Sequence, residues 1–440
     1  MMREAPFSLL KQPRPMVLRG ARVLVLGLGD TGLSVARWVE REGGKVRVAD
    51  SRAHPPRAND FRGELRTGAF LPELLDGVDI VCISPGLALD QPVVRAAVAK
   101  NVPVVGDIEL FAWHNKAPVL AITGTNGKST VTALAGHLLR EAGVDAEVAG
   151  NIGPPVLEAA TKRSKPPAAW VLELSSYQLE TTWSLAPRAA AMLNLTEDHF
   201  DRYASLDEYA AAKARIFMGA RAQVLNRDDP RSLGMAKPGA ITFGLDAAGD
   251  FGVAGGSLVH HGAPILRIDE LGVRGSHNVA NALAACALVS TLGAPYTGLK
   301  SFRGLPHRLQ LIATRRDVEW YDDSKGTNVG ATVAALRGLG RKCILILGGE
   351  GKGQDFSPLA PAVARHASHV LLIGRDAPLI ARAVKGERCA TLEDAVKRAA
   401  ELAKPGEAVL LSPACASFDM FRDYRHRGEV FAAAVKALAP

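Results

Sequence analysis

Three times along this chain a short β-branched run passes through a glycine-rich or polar turn into a segment of helical length, and this recurrence most narrows the folds open to it. The runs are Arg22 to Gly27, Ala117 to Gly124 and Cys343 to Gly349, the last preceded by the strand-like stretch Val318 to Asp322. Strands alternating with helices predict parallel sheets in layers, so the expected class is α/β. With 440 residues and roughly 150 per domain, three domains fit, each opened by one run. Breaks are expected near 106 and 305, the second where Gly304-Leu305-Pro306 interrupts the pattern, giving domains 1–105, 106–304 and 305–440. Residues 245–272, glycine-rich and without helical periodicity, read as hairpins or loops.

The strongest local signal is TGTNGKST at 123–130, between an apolar strand and the expected helix Val131 to Glu141. Backbone amides at a helix N-terminus cradle phosphates, Lys128 adds a point charge, and the Ser129 hydroxyl can ligate Mg²⁺. The loop is GxxGKS, two residues shorter than the common nucleotide-binding form, with Ile122 where that form has glycine. GLGDTG at 27–32 also follows a strand and opens a helix, expected over Leu33 to Glu42, and Asp50 ends the next strand. That arrangement admits a dinucleotide such as NAD, or the diphosphate of another nucleotide.

Glu173 closes the apolar strand Ala169 to Leu174, where ligand-facing groups of parallel sheets gather. His199 lies in the polar run NLTEDHFDRY at 194–203; a lone histidine caps or packs more often than it ligates, and its company is what singles it out. Lys213 falls on the stripe Leu206, Tyr209, Ile216 and Phe217. It reads either as a lysine snorkelling from a buried stem or as an inward amine whose depressed pKa lets it add carbon dioxide and become an anionic metal ligand. In HNVAN at 277–281, Asn278 reads as a helix N-cap, while Asn281 lies beyond any cap and needs another partner. PHR at 306–308 and DDSKGTN at 322–328 bring Arg308, Asp323 and Lys325 near strand ends, where ion pairing is the commoner fate. Cys415 has no assignable base and is read as packing.

Composition narrows the partners. The balance of 53 Lys and Arg against 45 Asp and Glu, a formal +8, favours anions. With basic residues scattered and 5% aromatic residues, no nucleic-acid stacking surface is evident. Five separated cysteines without a CxxC pair argue against disulfides or a zinc cluster and for a reducing cytoplasm. The first fifteen residues lack the apolar stretch of a signal peptide, and no apolar run is long enough for a membrane span.

Taken in order, GLGDTG, SPG at 84–86, TGTNGKST, GNIG at 150–153, ELSSYQLE at 173–180, NLTEDHFDRY, AAKARIF at 211–217, HNVAN, PHR, DDSKGTN, LGGEGKG at 347–353 and SPACASFDMF at 412–421 resemble the Mur ligases along essentially the whole chain. DDSKGTN with SPACASFDMF points to the D-glutamate-adding branch. The resemblance implies a Rossmann-like UDP-binding domain, a central P-loop ATPase-like domain and a Rossmann-like C-terminal domain. It implies ATP-dependent addition of D-glutamate to UDP-N-acetylmuramoyl-L-alanine in cytoplasmic peptidoglycan precursor synthesis, by a monomer. Another amino acid as nucleophile is the alternative within the same chemistry, and an NAD-dependent oxidoreductase the alternative outside it.

By the same resemblance, UDP would meet Asp30, Thr31, Asp50, Ser51 and Arg52, with Ser84, Gly86, Asn151 and Gln178 toward the diphosphate and sugar. ATP would lie on Gly124, Thr125, Asn126, Gly127, Lys128, Ser129 and Thr130, helped by Asn278, Asn281, Arg308 and Asp323. Two Mg²⁺ would be held by Ser129 and Glu173, and by His199 and N6-carboxylated Lys213. Lys128, Glu173, His199 and Lys213 would be the catalytic set. D-glutamate would meet Thr327, Lys352, Ser417, Phe418 and Tyr424. Tyr424 and Glu350 depart from the family pattern and bear on the detail of that pocket.

Overall fold

The computed structural model describes residues 6–200 and 202–438. Residues 1–5, on which the expectation about a leader partly rests, and Asp201 of NLTEDHFDRY lie outside the described residues. Each expected strand–turn–helix run lies in a separate sheet. In the first, the all-parallel order is Glu64–Thr67, Lys45–Asp50, Arg22–Leu26, Ile80–Ile83, Val104–Val105. The chain reverses direction across the sheet beside Arg22–Leu26. GLGDTG and SPG leave the neighbouring strands Arg22–Leu26 and Ile80–Ile83 there, at the switch point where such sheets bind ligands.

The central sheet has nine strands, ordered Ala263–Arg267, Ser257–His260, Phe251–Ala254, Ile241–Phe243, Gln223–Asn226, Ala189–Met192, Val119–Thr123, Ala169–Glu173, Ala146–Gly150. Its middle strands are buried along their whole length, as parallel strands covered on both faces must be. One cover is the pair of helices Lys128–Glu141 and Ser276–Ser290, whose Val131, Leu134 and Leu138 share a core with Ala282 to Val289. The glycine-rich 245–272 region forms antiparallel hairpins that extend this sheet. The third sheet runs Gln310–Arg315, Val318–Asp322, Ala408–Leu411, Cys343–Gly348, Ala367–Ile373, Glu387–Arg388, parallel apart from the first pair. DDSKGTN, SPACASFDMF and LGGEGKG thus leave three adjacent strands on one side. Among the described residues no helix is long and apolar enough to cross a membrane.

Buried polar groups tie these sheets together. The Glu109 carboxylate, on the connecting helix Asp107–His114, accepts from Trp183 N at 2.7 Å, Ser184 N at 2.9 Å, Ser184 Oγ at 2.6 Å and Trp113 Nε1 at 3.0 Å. From the C-terminal side, Arg308 Nη2 donates to Ser129 Oγ at 2.7 Å, and Asn328 Nδ2 lies 3.4 Å from both Asn126 Oδ1 and Asp198 Oδ2.

The first glycine turn is held by close approach. Helix Asp30–Arg41 begins three residues earlier than expected, directly after Gly29, and a Cβ on Gly32 would sit 1.8 Å from the Gly27 carbonyl. Backbone cannot yield that far without opening the turn. Gly32→Ala is therefore expected to cost about 2–3 kcal/mol through overpacking, read as a lowered midpoint in chemical unfolding, while Gly29→Ala, whose Cβ meets nothing within 4 Å, stays near the parent.

Candidate active site

The phosphate loop is shaped by two left-handed glycines, Gly124 at φ 148° and Gly127 at φ 85°, the latter capping helix Lys128–Glu141. A Cβ at Gly127 would stand 2.5 Å from Asn281 Oδ1, so side-chain-free backbone lets HNVAN close on the loop. Asn194 clamps it from the other side. It accepts from Asn126 N at 2.8 Å and donates to Asn126 O at 3.0 Å. Lys128 Nζ curls back onto the carbonyls of Gly124, at 2.9 Å, and Thr125, at 2.8 Å. Burial pulls the Lys128 pKa down, opposed by the negative charges of Glu173 and Asp198.

Around this loop the four proposed catalytic side chains converge. Glu173 is 2% exposed at the end of its strand; Oε1 accepts from Asn151 Nδ2 at 2.8 Å, whereas Oε2 is buried without a hydrogen-bond partner among the described residues. Such an orphaned carboxylate oxygen beside the Lys128–Ser129 turn suits a hard divalent cation shared with phosphates. Lys213 is 1% exposed, which decides against the snorkelling reading. Its helix, Leu206–Ala214, stops short of Ile216 and Phe217, which lie in a 3₁₀ turn. Nζ donates to Thr123 Oγ1 at 3.3 Å and sits 4.6 Å from the centroid of the Tyr209 ring. Burial first, and then the Lys128 charge, drive its pKa well below the usual lysine range. His199, at φ 58°, bonds Tyr177 OH through Nδ1 at 2.8 Å and places Nε2 3.8 Å from Asp198 Oδ2.

A cavity of about 320 Å³ opens beside the loop between the central and C-terminal sheets. Asn126, Gly127, Thr130, Asn278, Asn281, Arg308 and Asp323 all line it, so most of the residues expected for ATP share one wall. Asn278 is not the N-cap: Gly275 caps helix Ser276–Ser290, and Asn278 in the first turn donates to Arg274 O at 2.7 Å and accepts from Asn281 Nδ2 at 3.1 Å. Among the described residues Asp323 has no ion-pair partner; it accepts from Ser412 Oγ at 2.7 Å and Leu309 N at 3.1 Å, and burial raises its pKa to about 7. Lys325, lowered to about 8 by burial and then by Arg308, lies 4.1 Å from the Tyr424 ring centroid.

On the first sheet, Asp50, expected to meet UDP, is also tied within the chain. Both its oxygens are engaged within the chain: Leu28 N donates to Oδ2 at 2.7 Å, and Arg52 forks onto it at 2.8 and 2.6 Å. It pins the glycine turn to the neighbouring strand. Burial alone would raise its carboxyl; Arg52 and the backbone N–H groups outweigh that and hold it at about 2. Ser84 Oγ donates to Gly27 O at 3.2 Å, with Ser51, Arg52 and Gly86 open to solvent and Asp30 bonded to Arg57 at 2.6 Å. Thr31 is half-buried in the first turn of its helix. Gln178 is committed to a capping box with Ser175, its Nε2 lying 3.4 Å from Asp107 Oδ2.

The proposed D-glutamate residues occupy the three adjacent strand ends of the third sheet. Thr327 is half-buried in the DDSKGTN turn, Ser417 is buried, Phe418 is 66% exposed, and Tyr424 starts the last helix, Tyr424–Ala437. A bridge between Glu350 and Ala416 draws Lys352, exposed at φ 52°, toward the Ser417 turn. Glu350 itself pairs with Arg375 at 3.2 Å. Cys415 is fully buried and its thiol is pushed up to about 12 by burial, in keeping with packing. Arg427, 0% exposed, braces this end from within, donating to Ser324 O at 2.7 Å and Cys415 O at 3.1 Å.

Sequence reasoning misses Asn194, Tyr177, Asp198 and Arg427. The first three lie inside motifs that it does single out, so only their individual roles escape it; Arg427 lies in the basic run 422–427, where no partner is visible in the sequence.

Three separate α/β sheets, with loops of the central and C-terminal ones meeting at a phosphate loop, match the architecture of a three-domain nucleotide-dependent ligase. Family models agree in chain order: Mur ligase MurD-like N-terminal domain over 21–106, Mur ligase middle domain over 122–289, and Mur ligase glutamate ligase domain over 307–415. The chain belongs to the Mur ligase family. It is 53% identical to the UDP-N-acetylmuramoylalanine–D-glutamate ligase of Thiobacillus denitrificans, over 96% of this chain and 97% of that one. It is 50% identical to the ligase of the same name from Nitrosospira multiformis, over 96% and 97%. Among solved structures it matches the UDP-N-acetylmuramate-alanine ligase MurC of Thermotoga maritima with a TM-score of 0.62 at 20% identity, covering 94% of this chain and 99% of that one. It also matches the MurF ligase of Thermotoga maritima in complex with ADP, with a TM-score of 0.60 at 15% identity, covering 98% and 99%.

The Asp50 pin carries a pH signature. Its carboxyl sits at about 2 in the fold against an ordinary 3.8, so its contribution is whole above the ordinary value and is lost as pH falls through the lower one. Asp50→Asn is expected to lower the chemical-unfolding midpoint at pH 7, with the gap from the parent narrowing steadily between pH 4 and pH 2.

Proposed function

We propose that this chain joins D-glutamate to UDP-N-acetylmuramoyl-L-alanine, with ATP converted to ADP and phosphate, as a step in peptidoglycan precursor synthesis. One observation carries the reading: loops from the central and C-terminal sheets meet at one phosphate cradle, with Arg308 reaching Ser129, and the relatives at about half identity span nearly the whole chain. We take 1–105 as the sugar-nucleotide domain, 106–304 as the ATP domain and 305–440 as the amino-acid domain.

The substrate carboxylate attacks the γ-phosphorus of ATP, and ADP leaves with the electron pair of the broken P–O bond. The amine of D-glutamate then adds to the acyl phosphate, and the tetrahedral intermediate expels phosphate to leave the amide. Both steps bring anions together. Lys128 and Arg308 lie where they would face the transferring phosphoryl group, and Lys325 and Lys352 where they would meet the carboxylates of the amino acid. Ser129 and Glu173 would hold one Mg²⁺, and His199 with N6-carboxylated Lys213 another. When bound, these ions would neutralise phosphate charge. The orphaned Glu173 oxygen and the neutral-leaning Lys213 amine support that assignment. The C-terminal domain closing over ATP would keep water from the acyl phosphate.

Phosphate release by purified protein with ATP, Mg²⁺ and UDP-N-acetylmuramoyl-L-alanine is expected to depend on D-glutamate and not on L-glutamate, L-lysine or diaminopimelate. Release indifferent to D-glutamate overturns the reading. Lys213→Ala is expected to lose at least about a hundredfold in turnover, since a missing charge-stabilising group costs on that order, and short carboxylic acids are expected to restore part of it in the variant alone. Full activity of Lys213→Ala removes the carbamate.

A further inference from the structure

Beside its ring contact with Tyr209, centroids 5.9 Å apart, His199 has a set of contacts that runs into the first domain. His199 Nδ1 is hydrogen-bonded to the Tyr177 hydroxyl at 2.8 Å, and the two rings meet edge to face with centroids 4.9 Å apart. The Arg202 guanidinium lies 4.9 Å from the Tyr177 ring centroid, at cation–π distance. Arg202 also has partners in both domains: Nη2 donates to Glu180, a carboxylate with 0% exposure, and Nη1 donates to Leu87 O at 2.8 Å. Leu87 closes the turn that starts at Ser84, its N–H donating to Ser84 O at 3.0 Å, and Ser84 Oγ donates to Gly27 O at 3.2 Å. A continuous line of contacts therefore joins the first glycine turn to His199, through two residues that the proposed reaction leaves without a role.

We propose that Arg202 and Tyr177 are positioning residues that set His199 from the first domain. Arg202 seats the Ser84–Leu87 turn on the central domain, and through the Tyr177 ring it holds the hydroxyl that accepts from His199 Nδ1–H. With the proton on Nδ1, Nε2 keeps its lone pair. That atom faces Asp198 Oδ2 across 3.8 Å, and two electron-rich atoms so placed suit a cation between them. A ligating histidine is typically fixed in this manner by a partner on its other nitrogen. The inference rests on reading His199 as a metal ligand.

The test counts Mn²⁺ bound in the presence of a non-hydrolysable ATP analogue by electron paramagnetic resonance, and measures UDP-N-acetylmuramoyl-L-alanine binding by calorimetry. Arg202→Ala would strand the buried Glu180 carboxylate, so the variants are Tyr177→Phe, which removes only the hydroxyl, and Arg202→Lys. Tyr177→Phe is expected to weaken Mn²⁺ binding about tenfold and leave sugar-nucleotide affinity unchanged. Arg202→Lys is expected to weaken both, and the double variant to bind Mn²⁺ no worse than Arg202→Lys alone. His199→Ala separates the two ways of failing. If it binds Mn²⁺ like the parent, the ligand reading is wrong. If it binds weakly while Tyr177→Phe stays within about twofold of the parent, short of the loss a ligand's partner carries, the positioning role is wrong. Affinity for the ATP analogue monitors folding, and should Arg202→Lys fail to fold, Tyr177→Phe decides by itself.

Discussion

Like charge forced into a small dry space governs this molecule. Lys128 and Lys213 both lie inside the central domain within electrostatic reach of each other, and Lys325 and Arg308 approach from the C-terminal domain. Their repulsion is offset by few carboxylates, chiefly Glu173 and Asp198. Burial first, and this repulsion second, push the lysines toward the neutral amine, and a group that arrives with negative charge relieves the strain. A triphosphate and two carboxylate-bearing substrates do so, which makes the cluster selective for the anions whose mutual repulsion it has to overcome.

The sheets supply the rigidity that such a cluster requires. The loops after Val119–Thr123, Ala169–Glu173 and Cys343–Gly348 leave the carboxyl ends of strands buried along their whole length, so their bases are held in place. Contacts between loops then set the finer geometry: Asn194 on Asn126, Asn281 against Gly127, Asn151 on Glu173 and Arg427 behind the Ser412–Ser417 turn. Most pair one chemistry-bearing residue with a partner far away in the chain.

That distance explains how much of the fold and the site is legible in the amino-acid sequence. The three strand–turn–helix units and the phosphate loop are legible, and Glu173, His199 and Lys213 are singled out one by one, because glycine turns, apolar runs and local motifs are properties of contiguous residues. Periodicity puts Lys213 on the right face but cannot settle its burial, which depends on Thr123 and Tyr209 closing around the amine. Asp50 reads only as the acidic residue that ends the second strand, because nothing local shows that Arg52 and Leu28 bond its oxygens. Asn278 reads as a cap because the positive φ of Gly275, three residues earlier, leaves no trace in hydropathy. Partners such as Tyr177 and Arg202 are in view as letters of a motif, yet pairing between loops carries no periodic signal.

The four donors on Glu109 have a mechanical consequence. Three of them, from Trp183 and Ser184, bind the connecting helix Asp107–His114 to the central domain, the fourth, Trp113, lying on the helix itself, and a Cβ on Gly106 would already strike Thr181 Oγ1 at 2.4 Å. Whatever swivel the first sheet possesses is borne by the one or two peptide units ahead of that helix. An axle so short permits rotation and forbids wandering, so the sugar nucleotide would be presented along an arc, always at nearly the same radius from the phosphate cradle.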